Sequence, residues 1–199
     1  MPKNVQKSTL IKNQYSQLRI IAGKYKSRKI SFPTIDPNLR PTSDRLRETL
    51  FNWLMPYIVN ARCLDAFAGS GALGFEALSR LAHSCDLFEL DKNALAFLNQ
   101  NTQRLNIGNA HILHANVLSH LQNPINYDII FLDPPFKSEL LDRALNIINH
   151  NIHITTNTII YTEFATKSPP KELDLFEIIK QTQQGDVSAY LLYKKLGSR

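Results

Sequence analysis

Cys63-Leu64-Asp65-Ala66-Phe67-Ala68-Gly69-Ser70-Gly71-Ala72-Leu73-Gly74 decides the fold. The run up to Phe67 is apolar apart from Asp65 and reads as a buried strand, the glycines that follow read as a tight turn, and Phe75 to Leu81 carries helical spacing. Strand, glycine turn and helix in that order open a nucleotide-binding α/β unit, and Gly69, Gly71 and Gly74 spell G-x-G-x-x-G. Glu89 ends the next apolar stretch twenty positions after Gly69, where such folds place the carboxylate that holds a ribose. Asp65 separates the possible ligands. At the tip of the first strand a carboxylate would repel a pyrophosphate and attract an ammonium and a sulfonium. S-adenosyl-L-methionine is therefore the expected cofactor in preference to NAD, held by Asp65, Phe67, Gly69, Gly71, Gly74 and Glu89. The glycines alone would also serve a plain turn with close helix packing.

Downstream, strands are expected at 62–67, 84–90, 110–115, 127–132 and 157–163, and helices at 72–82, 92–106 and 138–149, the second capped by Asp91. Strand and helix alternate, which is the pattern of a doubly wound α/β sheet. Two further strands, around 174–181 and 187–194, are joined by Gln183-Gln184-Gly185-Asp186 and should pair antiparallel, an ending foreign to a dehydrogenase. A ligand should lie at the carboxyl ends of the first and fourth strands of this sheet, where strand order reverses.

The fourth of these strands, Tyr127 to Leu132, runs into Asp133-Pro134-Pro135-Phe136. An aromatic amine is a poor nucleophile because its lone pair is delocalised into the ring, so a site that alkylates it must accept its hydrogens and hold it in place. The Asp133 carboxylate and the proline-stiffened Pro134 carbonyl can accept them, and Phe136 offers a face for a base swung out of its stack. A strand followed by a proline turn would look the same in isolation. The combination with Asp65 and Glu89 is what points to methyl transfer.

The chain has 199 residues, 43% of them hydrophobic and 20% charged, which suits one well-buried domain with a short appendage. Its net charge of +6 is unevenly spread: residues 1 to 47 hold eleven Lys or Arg against two Asp, and the remainder holds twelve against fifteen Asp or Glu. Such a basic segment attracts phosphates. Residues 1–18 read as a flexible leader, 19–55 as a basic extension built from a hairpin and a helix, and 56–199 as the main domain. In the extension, Arg19 to Phe32 interleaves charges with apolar residues, and Pro41-Thr42-Ser43-Asp44 opens a helix with Leu46, Leu50, Trp53 and Leu54 on one face. Arg28, Lys29, Arg40, Arg45 and Arg47 are the candidate RNA-binding residues. No apolar run approaches the roughly 20 residues that cross a bilayer, and no signal core opens the chain, so a cytoplasmic protein without a membrane partner is expected. Cys63 and Cys85 read as buried thiols, and six scattered histidines lack metal spacing, so no metal is expected.

Three segments together carry a family resemblance: Arg40-Pro41-Thr42-Ser43-Asp44-Arg45-Leu46-Arg47-Glu48 continuing to Leu54, Leu64 to Arg80 across the glycine turn, and Phe131 to Phe136. They resemble the RsmD family, bacterial methyltransferases acting on the guanine N2 amine of small-subunit ribosomal RNA. The resemblance implies a class I S-adenosylmethionine-dependent methyltransferase, that is, a Rossmann-like seven-stranded sheet whose last two strands are antiparallel, with a small N-terminal β-hairpin extension. It also implies 16S rRNA, within the small ribosomal subunit, as partner, and a monomer is expected for this size. Ala22 and Ser27 stand where the family pattern has glycines, and Asn116 stands where an aspartate receives the adenine amine. Asn116 can still accept that bond through its carbonyl, without the charge. An adenine-N6 or DNA amino-methyltransferase, an NAD-dependent oxidoreductase and a non-catalytic RNA-binding module remain as alternatives.

Overall fold

A computed structural model describes residues 15–34, 43–136 and 138–195. Strands β1 (Tyr15–Arg19) and β2 (Lys29–Pro33) form a two-stranded antiparallel sheet of their own, and helix α1 (Asp44–Trp53) follows. The remaining chain alternates as β3 (Arg62–Asp65), α2 (Ala72–Ser79), β4 (Ser84–Phe88), α3 (Lys92–Leu105), β5 (Ala110–Leu113), α4 (Val117–His120), β6 (Ile129–Leu132), α5 (Leu140–His150) and β7 (Ile159–Ala165). A 3-10 turn (Lys171–Leu175) then leads to β8 (Phe176–Gln184) and β9 (Val187–Lys194). The seven strands of the main sheet are ordered β5-β4-β3-β6-β7-β9-β8. β3 pairs in parallel with both β4 and β6, so the order reverses beside β3, as expected. β9 is antiparallel to β8, as the turn at Gly185 implied, and also to β7. Among the described residues no helix is long and apolar enough to cross a membrane.

Each face of the sheet carries an apolar cluster. One joins Cys63, Phe75, Leu87, Leu98, Phe131 and Tyr161 with Ile20, Ile30, Leu50 and Phe51 of the N-terminal segment. The other joins Leu64, Ile130, Leu132 and Ile160 with Leu141, Leu145 and Ile148 of α5. Of the expected stripe, Leu46, Leu50 and Leu54 are buried and Trp53 is half-buried, with Phe51 buried beside them, and Ser43 caps α1 by accepting from the Leu46 amide at 3.1 Å. Asp91 caps α3 in the same way, accepting from Ala94 N at 2.8 Å.

The hairpin is fastened to the main domain by polar side chains in an otherwise apolar setting. Glu76, on α2, has no exposed surface. Its carboxylate accepts from the Ile21 amide at 2.7 Å, the Ala22 amide at 3.1 Å and Arg80 Nε at 2.8 Å. Ser79, one turn further along α2, donates to the Ala22 carbonyl at 2.5 Å and accepts from the Tyr25 amide at 2.9 Å. Gly23 is obligatory at this contact: its φ is +82°, and a Cβ there would fall 1.9 Å from the Ser79 carbonyl oxygen. From α3, Asn101 accepts from the Ser31 amide at 3.0 Å and donates to its carbonyl at 2.7 Å, completing the attachment along β2. Ser27 adopts a left-handed φ of 66°, which explains why a glycine would suit that position, while Ala22 fits without strain.

Some expectations need correction. Tyr15 to Leu18, assigned to the leader, lie in β1. Leu18 and Tyr15 are too few apolar residues to show a period of two, and the strand is set by its ladder to β2. The helix expected to reach residue 82 stops at Ser79, because Leu81 takes a φ of 71° as the chain turns toward β4. Arg40 and residues 1–14 of the leader lie outside the described residues.

Removing the Glu76 carboxylate would leave the Ile21 and Ala22 amides and Arg80 without their acceptor in a dry interior. Glu76→Ala should therefore cost about 3–5 kcal/mol, which lowers the thermal midpoint by roughly 6–20 °C for a domain of this size. Calorimetry checks it, and a change under ~1 kcal/mol would mean that the hairpin is not fastened here.

Candidate active site

The carboxyl edge of β3, β4 and β6 gathers the residues singled out in the sequence. Asp65, the last residue of β3, is 2% exposed and accepts from the Gly74 amide at 2.9 Å. That bond ties the first strand to the first turns of α2 across the glycine turn. Gly71 makes the turn possible, since its φ is +78° and a Cβ would stand 2.6 Å from the Phe75 ring and 2.7 Å from Leu98. Glu89, just beyond β4, accepts from Gly69 N at 2.8 Å through one oxygen and from Leu90 N at 2.7 Å and Asp91 N at 2.8 Å through the other. Three of its roughly four lone-pair positions are thus committed to backbone amides, and the carboxylate holds the glycine turn against the head of α3. Around Gly69 the space is open, the nearest atom to a hypothetical Cβ being Phe67 O at 3.9 Å. Phe67 itself is half-buried against the second apolar cluster.

Burial pushes the Asp65 carboxyl up to about 7, with the charges of Asp133 and Glu89 adding to the effect and the Gly74 and Phe67 amides opposing it. The carboxylates that follow the two strands flanking β3 thus both act on the Asp65 carboxyl. Asn116, at the end of the β5 connection, is exposed and caps α4 by accepting from Leu118 N at 3.0 Å. Its carbonyl retains a second lone pair for a donor.

Asp133 and Pro134 continue directly from β6, Asp133 half-buried and Pro134 buried. Phe136 is 46% exposed and, with Pro134 and Pro135, borders a shallow cleft. Its lining also includes Ser138, Leu141, Glu163 and Phe164. Sequence alone does not single out Glu163, because a lone glutamate in an apolar strand shows its importance only once β7 is seen beside β6.

Of the candidate RNA-binding residues, Arg28, Lys29 and Arg45 are exposed, with Lys24 and Lys26 beside the first two in the β1–β2 connection. Arg47 is not available. Its side chain has no exposed surface and is turned inward, donating to Asp44 at 2.6 Å and to the Arg19 carbonyl at 3.1 Å, with Glu76 at 3.9 Å. The helical period explains the correction: Arg47 lies on the buried face of α1 with Leu46 and Leu50, while Arg45 points away from it. Its role is to bring a cation to the Glu76 joint.

A seven-stranded sheet of this order, with an acidic residue ahead of a glycine turn and an Asp-Pro-Pro-Phe at the edge of the fourth parallel strand, defines a Rossmann-like methyltransferase. The chain belongs to the RsmD methyltransferase family, whose model, described as Conserved hypothetical protein 95, matches residues 18–194. It is 42% identical over 181 residues to Ribosomal RNA small subunit methyltransferase D of Escherichia coli strain K12, covering 90% of each chain. It is also 42% identical over 188 residues to the protein of that name from Haemophilus influenzae, covering 92% of this chain and 96% of the relative. Among solved structures it resembles yhhF from Escherichia coli, with 40% identity, a TM-score of 0.81 and coverage of 90% of this chain and 99% of that one.

The folded-state value of Asp65, about 7, stands above the ~3.9 of an unfolded aspartate. The stability it contributes is thus fully present below pH ~4 and is lost as pH rises through about 7. Asp65→Asn removes the titration, so the ligand-free wild type should lose up to about 4 kcal/mol relative to the variant across that window. Denaturant titrations at several pH values test this, and parallel stability curves would contradict it.

Proposed function

We propose that this protein transfers a methyl group from S-adenosyl-L-methionine to the exocyclic N2 amine of a guanine in the 16S rRNA of the bacterial small ribosomal subunit. The observation that carries this reading is the convergence of Asp65, Glu89 and Asp133 on one space at the sheet edge, close enough to raise the Asp65 carboxyl. A space bounded by three carboxylates favours a cationic ligand and N–H donors and opposes a pyrophosphate. That argument disfavours NAD chemistry on the same glycine turn. The relatives' shared name supplies the RNA, and their similarity spans the extension and the main domain alike.

The residues present fit the cofactor: Asp65 would face its cationic methionine portion, Glu89 would receive a ribose hydroxyl on the lone pair its amide bonds leave, and Asn116 would accept the adenine amine. When bound, S-adenosylmethionine supplies an electrophilic methyl group on sulfur. Asp133 and the Pro134 carbonyl accept the two N2 hydrogens, which aligns the nitrogen lone pair and raises electron density on it. Phe136 stacks on the extruded guanine and excludes water from one side. The methyl group would replace one N2 hydrogen, whose proton would leave through the Asp133 carboxylate that accepts it. No sequence-independent grip on RNA is needed from the acidic edge itself. That falls to the exposed cations Arg28, Lys29 and Arg45, joined by Arg40 in the sequence. A monomer acting in the cytoplasm completes the reading.

Asp133→Ala should abolish methyl transfer to small-subunit RNA, a loss of roughly 3 kcal/mol or more in transition-state stabilisation, while cofactor affinity by calorimetric titration stays within about threefold. Phe136→Ala should slow transfer strongly and Phe136→Tyr only slightly, because the stacking face survives. Full turnover by Asp133→Ala with labelled cofactor would remove the proposed chemistry.

Reversing Arg28, Lys29 and Arg45 to glutamate should weaken RNA binding and flatten its logarithmic salt dependence by about 0.7 to 0.9 for every phosphate no longer neutralised. Filter binding across a salt series measures both. An unchanged slope would place the RNA surface elsewhere.

A further inference from the structure

Glu163 lies beside the Asp133 edge on the neighbouring strand. β6 and β7 are parallel with Leu132 level with Thr162, so one further step on both strands brings Asp133 alongside Glu163. The alternation of strand side chains puts both on one face. Phe131 and Tyr161 share the first apolar cluster, with rings edge to face at 6.4 Å, and Asp133 and Glu163 follow two positions later on that side. Leu132, Ile160 and Phe164 belong to the opposite cluster. Glu163 is 3% exposed, and its carboxylate accepts from the Tyr161 hydroxyl at 2.7 Å. That hydroxyl is held well above its ordinary range by burial, then by Glu163, with Asp133 adding to it, so both carboxylates act on the same atom.

From this placement we infer that Glu163 accepts the N1–H of the target guanine and thereby selects guanine from among the bases that carry an exocyclic amine. The inference rests on the proposed function above and names its specificity element, which Asp-Pro-Pro-Phe alone does not supply. Guanine places a donor, N1–H, next to its amine, whereas adenine and cytosine place a ring lone pair next to theirs. A carboxylate beside the amine site pairs with the first and repels the other two. A buried acceptor left facing a lone pair discriminates strongly, because the mismatch leaves both groups unpaired. Tyr161 occupies one lone-pair position of Glu163 and fixes the carboxylate's orientation.

The test uses small subunits reconstituted with guanine or 2-aminopurine at the nucleotide that the wild type labels. 2-Aminopurine keeps the amine and presents a ring lone pair at N1. Wild type should favour guanine in kcat/KM by about 100-fold or more. Glu163→Gln, whose amide can donate to that lone pair, should narrow the preference to about tenfold or less, by losing rate on guanine and gaining it on 2-aminopurine. Its cofactor affinity should remain within about twofold of wild type, which certifies the fold. A wild-type ratio near one, measured with no variant at all, would overturn the inference, as would an unchanged ratio in Glu163→Gln with cofactor binding intact. Absence of any labelled guanine with wild type would instead overturn the underlying function.

Discussion

The carboxylate of Glu76 is the joint on which the rest of the molecule depends. It has no exposed surface, yet it accepts from two amides of the β1–β2 connection and from Arg80, with the buried Arg47 guanidinium 3.9 Å away. A charge in that position is tolerable only with its bonds fully made. The hairpin and α1 are therefore bound to α2, the helix that follows the glycine turn. Because the Gly74 amide on α2 also donates to Asp65, the basic segment and the acidic edge are held in one rigid frame. The arrangement resolves what the charge distribution left open: the basic block is docked against the domain core along Glu76, Ser79 and Asn101, with its exposed cations directed outward.

The second organising feature is electrostatic opposition. A chain with net charge +6 collects Asp65, Glu89, Asp133 and Glu163 at the ends of four neighbouring strands of one sheet. Basic residues attract the phosphates of a nucleic acid over distances near the Debye length. Carboxylates act at contact range, on N–H donors and on cations. In the proposed reading, separating the two in space lets one surface bind a polyanion while the other receives a cation. The parallel strands β3, β4, β6 and β7 make this possible, since all their carboxyl ends face the same way.

Much of this was legible in the sequence because it is local. The glycine turn, the caps at Ser43 and Asp91 and the antiparallel ending at Gly185 each depend on residues within a few positions of one another. The positions of Asp65, Glu89 and Asp133 at strand ends follow from the sequence because strand ends are predictable once the strands are. What escaped depends on long-range neighbours. Arg47 sits two residues from Arg45 and looks equivalent in composition, but one turns into the core and the other into solvent, a difference of helical phase and of what packs on α1. Glu163 is an isolated acid in an apolar strand, and only the β6–β7 register sets it beside Asp133. Tyr15 to Leu18 owe their strand to the ladder with Ile30 to Pro33, in a segment with little apolar pattern of its own.

The most direct test of the central claim is the chemical identity of the product. Small subunits lacking the modification are incubated with the protein and S-adenosylmethionine labelled in its methyl group, and the RNA is digested to nucleosides that are separated and weighed. The account requires the label to appear in N2-methylguanosine, derived from a single position of the 16S rRNA. Label recovered in N6-methyladenosine, or acceptance of DNA in place of RNA, would contradict it.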